Sequence, residues 1–143
     1  MIKTVLATAA VAVMLSGLAG CEHMPWQHPV TPLGYPSSLP AFPMNGLLSL
    51  PTGVTLYSFD KDADAKGGSA CNDDCAKVWP PFLAPDGAPD KLATSGNFSV
   101  ITRADGSHQW AYKGAPLYTY SKDTRAGDTT GDNRNQVWHV VKP

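Results

Sequence analysis

From residue 46 onward, apolar residues fall in short runs that alternate with polar ones and are punctuated by glycine, proline and aspartate. Strict alternation marks a half-buried strand. Residues 47–50 and 54–59 are two such runs on either side of Pro51-Thr52-Gly53, and together they predict a hairpin. Alternation places Tyr57 and Phe59 on one face of the second run, with Leu56 and Ser58 on the other. Residues 98–103 and 108–112 predict a further strand pair around Asp105-Gly106, a strong tight-turn signal, with His108, Trp110 and Tyr112 sharing a face. Residues 116–120 and 136–141 add two more strands. Residues 71–79 read as one or two helical turns that stop at Trp79, because Pro80 disfavours helical geometry in the residue before it. The predicted fold class is mainly β: a small antiparallel β-meander of six or so strands with one short helix near residues 71–79.

The pattern is written twice. Leu56-Tyr57-Ser58-Phe59-Asp60-Lys61-Asp62 returns as Leu117-Tyr118-Thr119-Tyr120-Ser121-Lys122-Asp123, and the match runs back without a gap to Gly53 and Gly114. Val78-Trp79 and Val137-Trp138 follow the two copies at similar distances, and polar loops over residues 60–69 and 122–135 occupy matching positions. Two copies are too few for a solenoid, so the expectation is one domain, residues 46–143, made of two related halves. Duplication and alternation explain Tyr57, Phe59, Tyr118 and Tyr120 as core-facing residues. They leave open whether Asp62 and Asp123 do more than cap turns.

Residues 1–20 follow another pattern. Lys3 precedes an apolar run over residues 5–15, shorter than the roughly 20 residues a mature spanning helix needs. These are the proportions of a secretory signal. Leu18-Ala19-Gly20-Cys21 then resembles the bacterial lipobox, whose cysteine is acylated on its thiol and amine after cleavage. The expectation is lipid attachment at Cys21, with several acyl chains such as palmitate holding the protein to a membrane of the cell envelope, the outer one where the cell has one. Pro25, Pro29, Pro32, Pro36, Pro40 and Pro43 forbid a helix through residues 21–45. They predict an extended tether reaching up to about 70 Å. Trp26, Tyr35 and Phe42 are unusual in a linker, and docking of this segment on the domain is the second reading.

Composition narrows the classes. Eleven basic residues against twelve acidic give a net charge of −1, and they do not cluster, which argues against a nucleic-acid partner. Thirteen glycines and thirteen prolines with 16% charged residues suit a turn-rich β protein. Of three cysteines, a lipidated Cys21 leaves Cys71 and Cys75, an even pair in an oxidising compartment. A structural disulfide is expected, contributing about 2 kcal/mol for so short a loop. Redox or metal use is the weaker reading, since Asp73 and Asp74 between the cysteines oppose a thiolate.

Several phrases together resemble a known family. Tyr57 to Asp62 and Tyr118 to Asp123 fit a tyrosine, any residue, aromatic, two of any kind, aspartate pattern. With the lipobox, this is similar to the bacterial predicted lipoproteins called the "secreted repeat of unknown function". Ile101-Thr102-Arg103-Ala104-Asp105-Gly106, Gly114-Ala115-Pro116-Leu117-Tyr118, Gly127-Asp128, Val137-Trp138-His139-Val140 and the stretch from Cys71 to Pro81 also match its recurring phrases. The resemblance covers about residues 53–143. It implies an envelope address and carries no established activity.

Chemistry is sparse. The loop from Asp123 to Asn133 carries aspartates too widely spaced for a calcium loop, interrupted by Arg125 and lacking a closing glutamate. His108 and His139 sit near tryptophans on predicted strands, where a hydrogen-bonding role is expected before a metal one; His23 and His28 lie in the tether. There is no nucleophile-elbow serine, phosphate loop or haem-attachment motif. The sequence therefore predicts no cofactor, no catalytic residue and no metal ligand. It predicts a binding or interaction module whose partner is an envelope protein or small ligand. The alternative is a periplasmic metal- or small-molecule-binding protein using His108, His139 and the acidic loop, and a redox enzyme stands behind both.

Overall fold

The computed structural model describes residues 39–89 and 96–143; the expected signal segment, Cys21 and the expected tether up to residue 38 lie outside the described residues. Among the described residues seven short strands, all paired antiparallel, form three small sheets. Strand β1 (Phe42–Met44) pairs with β2 (Leu47–Ser49), and Asn45 and Gly46, at φ 51° and 79°, make the tight turn between them. Strand β1 lies in the stretch that sequence patterning gave to the tether. Its Pro43 is tolerated because a two-stranded sheet has only edges, and Ala41 and Phe42 are buried. The expected hairpin of residues 47–50 with 54–59 is reduced to a bridge between Ser49 and Thr55.

Strand β4 (Phe98–Thr102) pairs in full register with β5 (His108–Tyr112), which also pairs with β6 (Ala115–Pro116). Helix α1 (Asp73–Val78) ends at Trp79 as the following prolines require. Strand β3 (Tyr57–Phe59), the first motif copy, pairs with β7 (Trp138–Val140) near the end of the chain.

The two halves interlock through an approximate two-fold exchange. At its centre, the Tyr57 and Tyr118 backbones donate to each other at 2.8 and 2.9 Å. Contacts around this pair come in matched sets. Val141 N–H donates to Leu56 as Phe82 N–H does to Leu117, and Asp60 N–H donates to Val137 as Ser121 N–H does to Val78. Leu56 N–H donates to Leu48 as Leu117 N–H does to Trp110. The hairpin β1–β2 is therefore the counterpart of β4–β5, an equivalence that the motif repeat does not extend far enough to reveal.

Each motif strand separates two apolar clusters. Leu56 and Leu117 enter one with Leu48, Phe98 and Trp110, while Tyr57 and Tyr118 enter the other with Cys71, Trp79, Tyr120 and Trp138. Alternation alone would leave one face of each strand to solvent. Here both faces are covered, and Leu56, Tyr57, Leu117 and Tyr118 are all fully buried.

Candidate functional site

The motif tyrosines and aspartates meet across the exchange. Tyr57 donates its hydroxyl hydrogen bond to Asp123 Oδ2 at 2.6 Å, and Tyr118 donates to Asp62 Oδ2 at 2.8 Å. Each copy's tyrosine thus completes the other copy's aspartate. The second carboxylate oxygens hold the loops: Asp62 Oδ1 accepts Ala70 N–H at 2.8 Å, and Asp123 Oδ1 accepts Thr130 N–H at 3.1 Å. A single 3₁₀ turn over Asp60–Asp64 carries Asp62 from the end of β3 into this position.

The two clasps are not equal. Asp62 is buried, whereas Asp123 is half-buried. Around Asp62 lies a polar network whose Arg103 and Gln109 have no counterpart beside Asp123 among the described residues. Ser69 Oγ is 2.7 Å from the Tyr118 hydroxyl, and the buried Arg103 guanidinium donates to Ser69 Oγ, Gln109 Oε1 and the Cys71 carbonyl at 3.0, 2.6 and 2.8 Å. Gln109 in turn donates to the Leu117 carbonyl at 2.7 Å. Burial pushes the Asp62 carboxyl above the usual aspartate range, and the Ala70 N–H, the Tyr118 hydroxyl and Arg103 offset that only in part. Burial, reinforced by Asp123, raises the Tyr57 hydroxyl well above its ordinary value; burial with the charge of Asp62 does the same at Tyr118. Both phenols are neutral donors, and neither is a nucleophile at physiological pH.

Between the clasps four rings form a column. Phe59 stacks on Trp138 (centroids 4.1 Å apart), Trp138 on Trp79 (3.8 Å), and Trp79 on Tyr120 (4.3 Å). The order alternates between copies, so the second aromatic of each motif covers the tryptophan of the other half. Tyr57 meets Trp79 edge-on at 5.4 Å, and Tyr118 meets Trp138 edge-on at 5.2 Å. Gly131 fits against this assembly because a Cβ there would lie 2.7 Å from the Trp79 ring and 3.0 Å from Tyr57. Arg134 lies over the outer face of Tyr120 with its guanidinium carbon 5.4 Å from the ring centre.

On one side of the column is a shallow cleft of about 360 Å³, lined by Phe59 and by both Val-Trp phrases, Val78-Trp79 and Val137-Trp138, with Lys61 and Asn135 beside them. Cys75 reaches its wall and is disulfide-bonded to the fully buried Cys71, with Cα atoms 5.2 Å apart. The other sequence candidates are dispersed. His139 Nε2 is 3.0 Å from Asp60, and His108 faces Asp86 at 3.8 Å in a different sheet. In the loop from Asp123, Asp128 accepts the Thr124 and Arg125 N–H groups and Asp132 accepts Val140 N–H. Among the described residues no three His, Cys, Asp or Glu side chains gather as a metal would require.

Sequence reasoning missed Ser69, Arg103 and Gln109. Ser69 had a signal, since it stands after Asp62 as Thr130 stands after Asp123, and both hold their clasps. Arg103 had none beyond its place in a recurring phrase. A protein-family model described as a secreted repeat of unknown function matches residues 50–82 and 99–142, one segment for each half. No curated protein and no solved structure matches the chain.

Proposed function

We propose a function on the premise that this chain belongs to the family of secreted repeats of unknown function and is an exported protein: it is a lipid-anchored envelope module that binds a partner through the cleft beside its aromatic column. The lipobox-like Leu18-Ala19-Gly20-Cys21 supports the anchor at Cys21. The observation that carries the binding reading is the cleft itself. Both halves contribute the same Val-Trp phrase to it, and Val78 at 41% exposure leaves an aliphatic surface open beside the tryptophan edges. Small-molecule sites are typically apolar concavities with a few polar groups at their margins. Of the motif side chains Phe59 lines the cleft, whereas Tyr57, Asp62, Tyr118 and Asp123 are already engaged with one another.

A photo-crosslinking residue at Val78 in living cells tests the reading. An adduct that disappears on Val137→Asp, and is absent when the probe replaces Leu83, supports it; Leu83 is 53% exposed and outside the cleft. Identical adducts from both positions overturn it. For the anchor, Cys21→Ser releases the protein from the membrane fraction, and retention there refutes lipidation.

A further inference from the structure

The column has more order than packing asks of it. Aromatic pairs prefer offset or edge-to-face contacts over a face-to-face sandwich. Trp79 and Trp138 lie with planes 4° apart and centroids at 3.8 Å, closer than the roughly 4.5–7 Å usual for aromatic pairs, and a further ring covers each outer face. Both indoles also meet, at their edges, a phenol whose hydroxyl donates to a carboxylate. Stacked indoles share and lower the energy of a missing electron. A phenol gives up an electron readily only when its proton has somewhere to go, and a hydrogen-bonded carboxylate within 2.6–2.8 Å is such a place.

The geometry points to a redox activity for this core: the Trp79–Trp138 pair accepts a one-electron oxidation and passes it to Tyr57 or Tyr118, which gives its proton to Asp123 or Asp62. The oxidant is a one-electron acceptor, such as a radical or high-valent metal complex, reacting at the indole edges in the cleft. It takes one electron from an indole and leaves a radical cation. Tyr57 returns one electron to that indole while its hydroxyl proton moves to Asp123 Oδ2. The products are a neutral phenoxyl radical and a carboxylic acid. A one-electron donor of the phenol or thiol class then reduces the phenoxyl, which recovers its proton from Asp123. No bond of the framework breaks, and the core ends as it began.

The test is flash-quench oxidation of the purified full-chain protein with a photo-excited ruthenium complex and a sacrificial acceptor, followed by electron paramagnetic resonance. The expected result is a phenoxyl spectrum that loses intensity several-fold in the Tyr57→Phe/Tyr118→Phe variant, while Tyr112→Phe leaves it unchanged. In the unmodified protein, D₂O slows the appearance of the phenoxyl, because proton and electron leave together; this arm depends on no variant folding. A long-lived indole radical with no phenoxyl, a phenoxyl that survives in the double variant, or formation kinetics indifferent to D₂O would each overturn the assignment.

Discussion

The Tyr57 hydroxyl lies 2.6 Å from Asp123, sixty-six positions along the chain, whereas the aspartate of its own motif, Asp62, accepts from Tyr118. The clasp is thus exchanged between copies, and neither half can satisfy its own motif. A buried hydroxyl or carboxylate left without its partner costs about 1–3 kcal/mol, so the motif closes the domain only when both halves are present.

Double-mutant cycles read the exchange directly. Tyr57→Phe with Asp123→Ala, and Tyr118→Phe with Asp62→Ala, should show coupling of about 0.5–3 kcal/mol in denaturant unfolding. The within-copy pair Tyr57→Phe with Asp62→Ala should be close to additive. Equal coupling within and between copies would contradict the exchanged pairing.

Asp62 makes stability depend on pH in an unusual sense. Burial raises its folded-state pKa above the unfolded value, so the folded protein binds the proton more tightly than the unfolded chain. Relative to Asp62→Asn, the unmodified protein should therefore gain stability as pH falls through the raised Asp62 pKa, until the ordinary aspartate value is passed. Asp105, held low by the Ser107 hydroxyl, and Asp128, held low by the Arg125 and Thr124 N–H groups, act the other way, but equally in both proteins. Urea midpoints across the acidic range measure the difference, and one that is flat or opposite in sign refutes the assignment.

Gly131→Ala should destabilise by about 1–3 kcal/mol, the usual cost of forcing an extra methyl into a filled core. Its Cβ would meet Trp79 at 2.7 Å. At Gly96, where a Cβ meets nothing within 4 Å, the same change serves as the control. Thermal midpoints of the two variants should differ clearly.

Removing the disulfide should be mild. The chain-entropy estimate for so short a loop is about 2 kcal/mol, and Arg103 grips the Cys71 carbonyl, which Cys71→Ala leaves in place. The Cys71→Ala/Cys75→Ala variant should keep its near-ultraviolet circular dichroism and unfold at lower denaturant. Loss of the folded signal in water would show that the bond carries more than loop closure.

How legible the domain was follows the range of each interaction. Residues 98–102 and 108–112 alternate, Asp105-Gly106 turns the chain, and Pro80 ends the helix at Trp79; each is a local rule, and each element stands where expected. Phe42–Met44 reads first as tether because of its proline spacing; the second reading, docking on the domain, holds for Phe42, whose burial depends on distant partners.

The sequence alone determined a duplicated, mainly β domain, the disulfide pair, and the inward placement of Tyr57 and Tyr118. Alternation and turn chemistry act over a few residues and need no knowledge of the rest. Only the tertiary structure decided which tyrosine meets which aspartate, that Phe59 covers Trp138 while Tyr120 covers Trp79, and that Arg103 is buried beside one clasp alone. Two equivalent motif copies offer identical local signals for pairing within a copy or between copies. The choice falls to the exchange of the halves around Tyr57 and Tyr118, which is set by long-range backbone pairing and by the space each half leaves for the other.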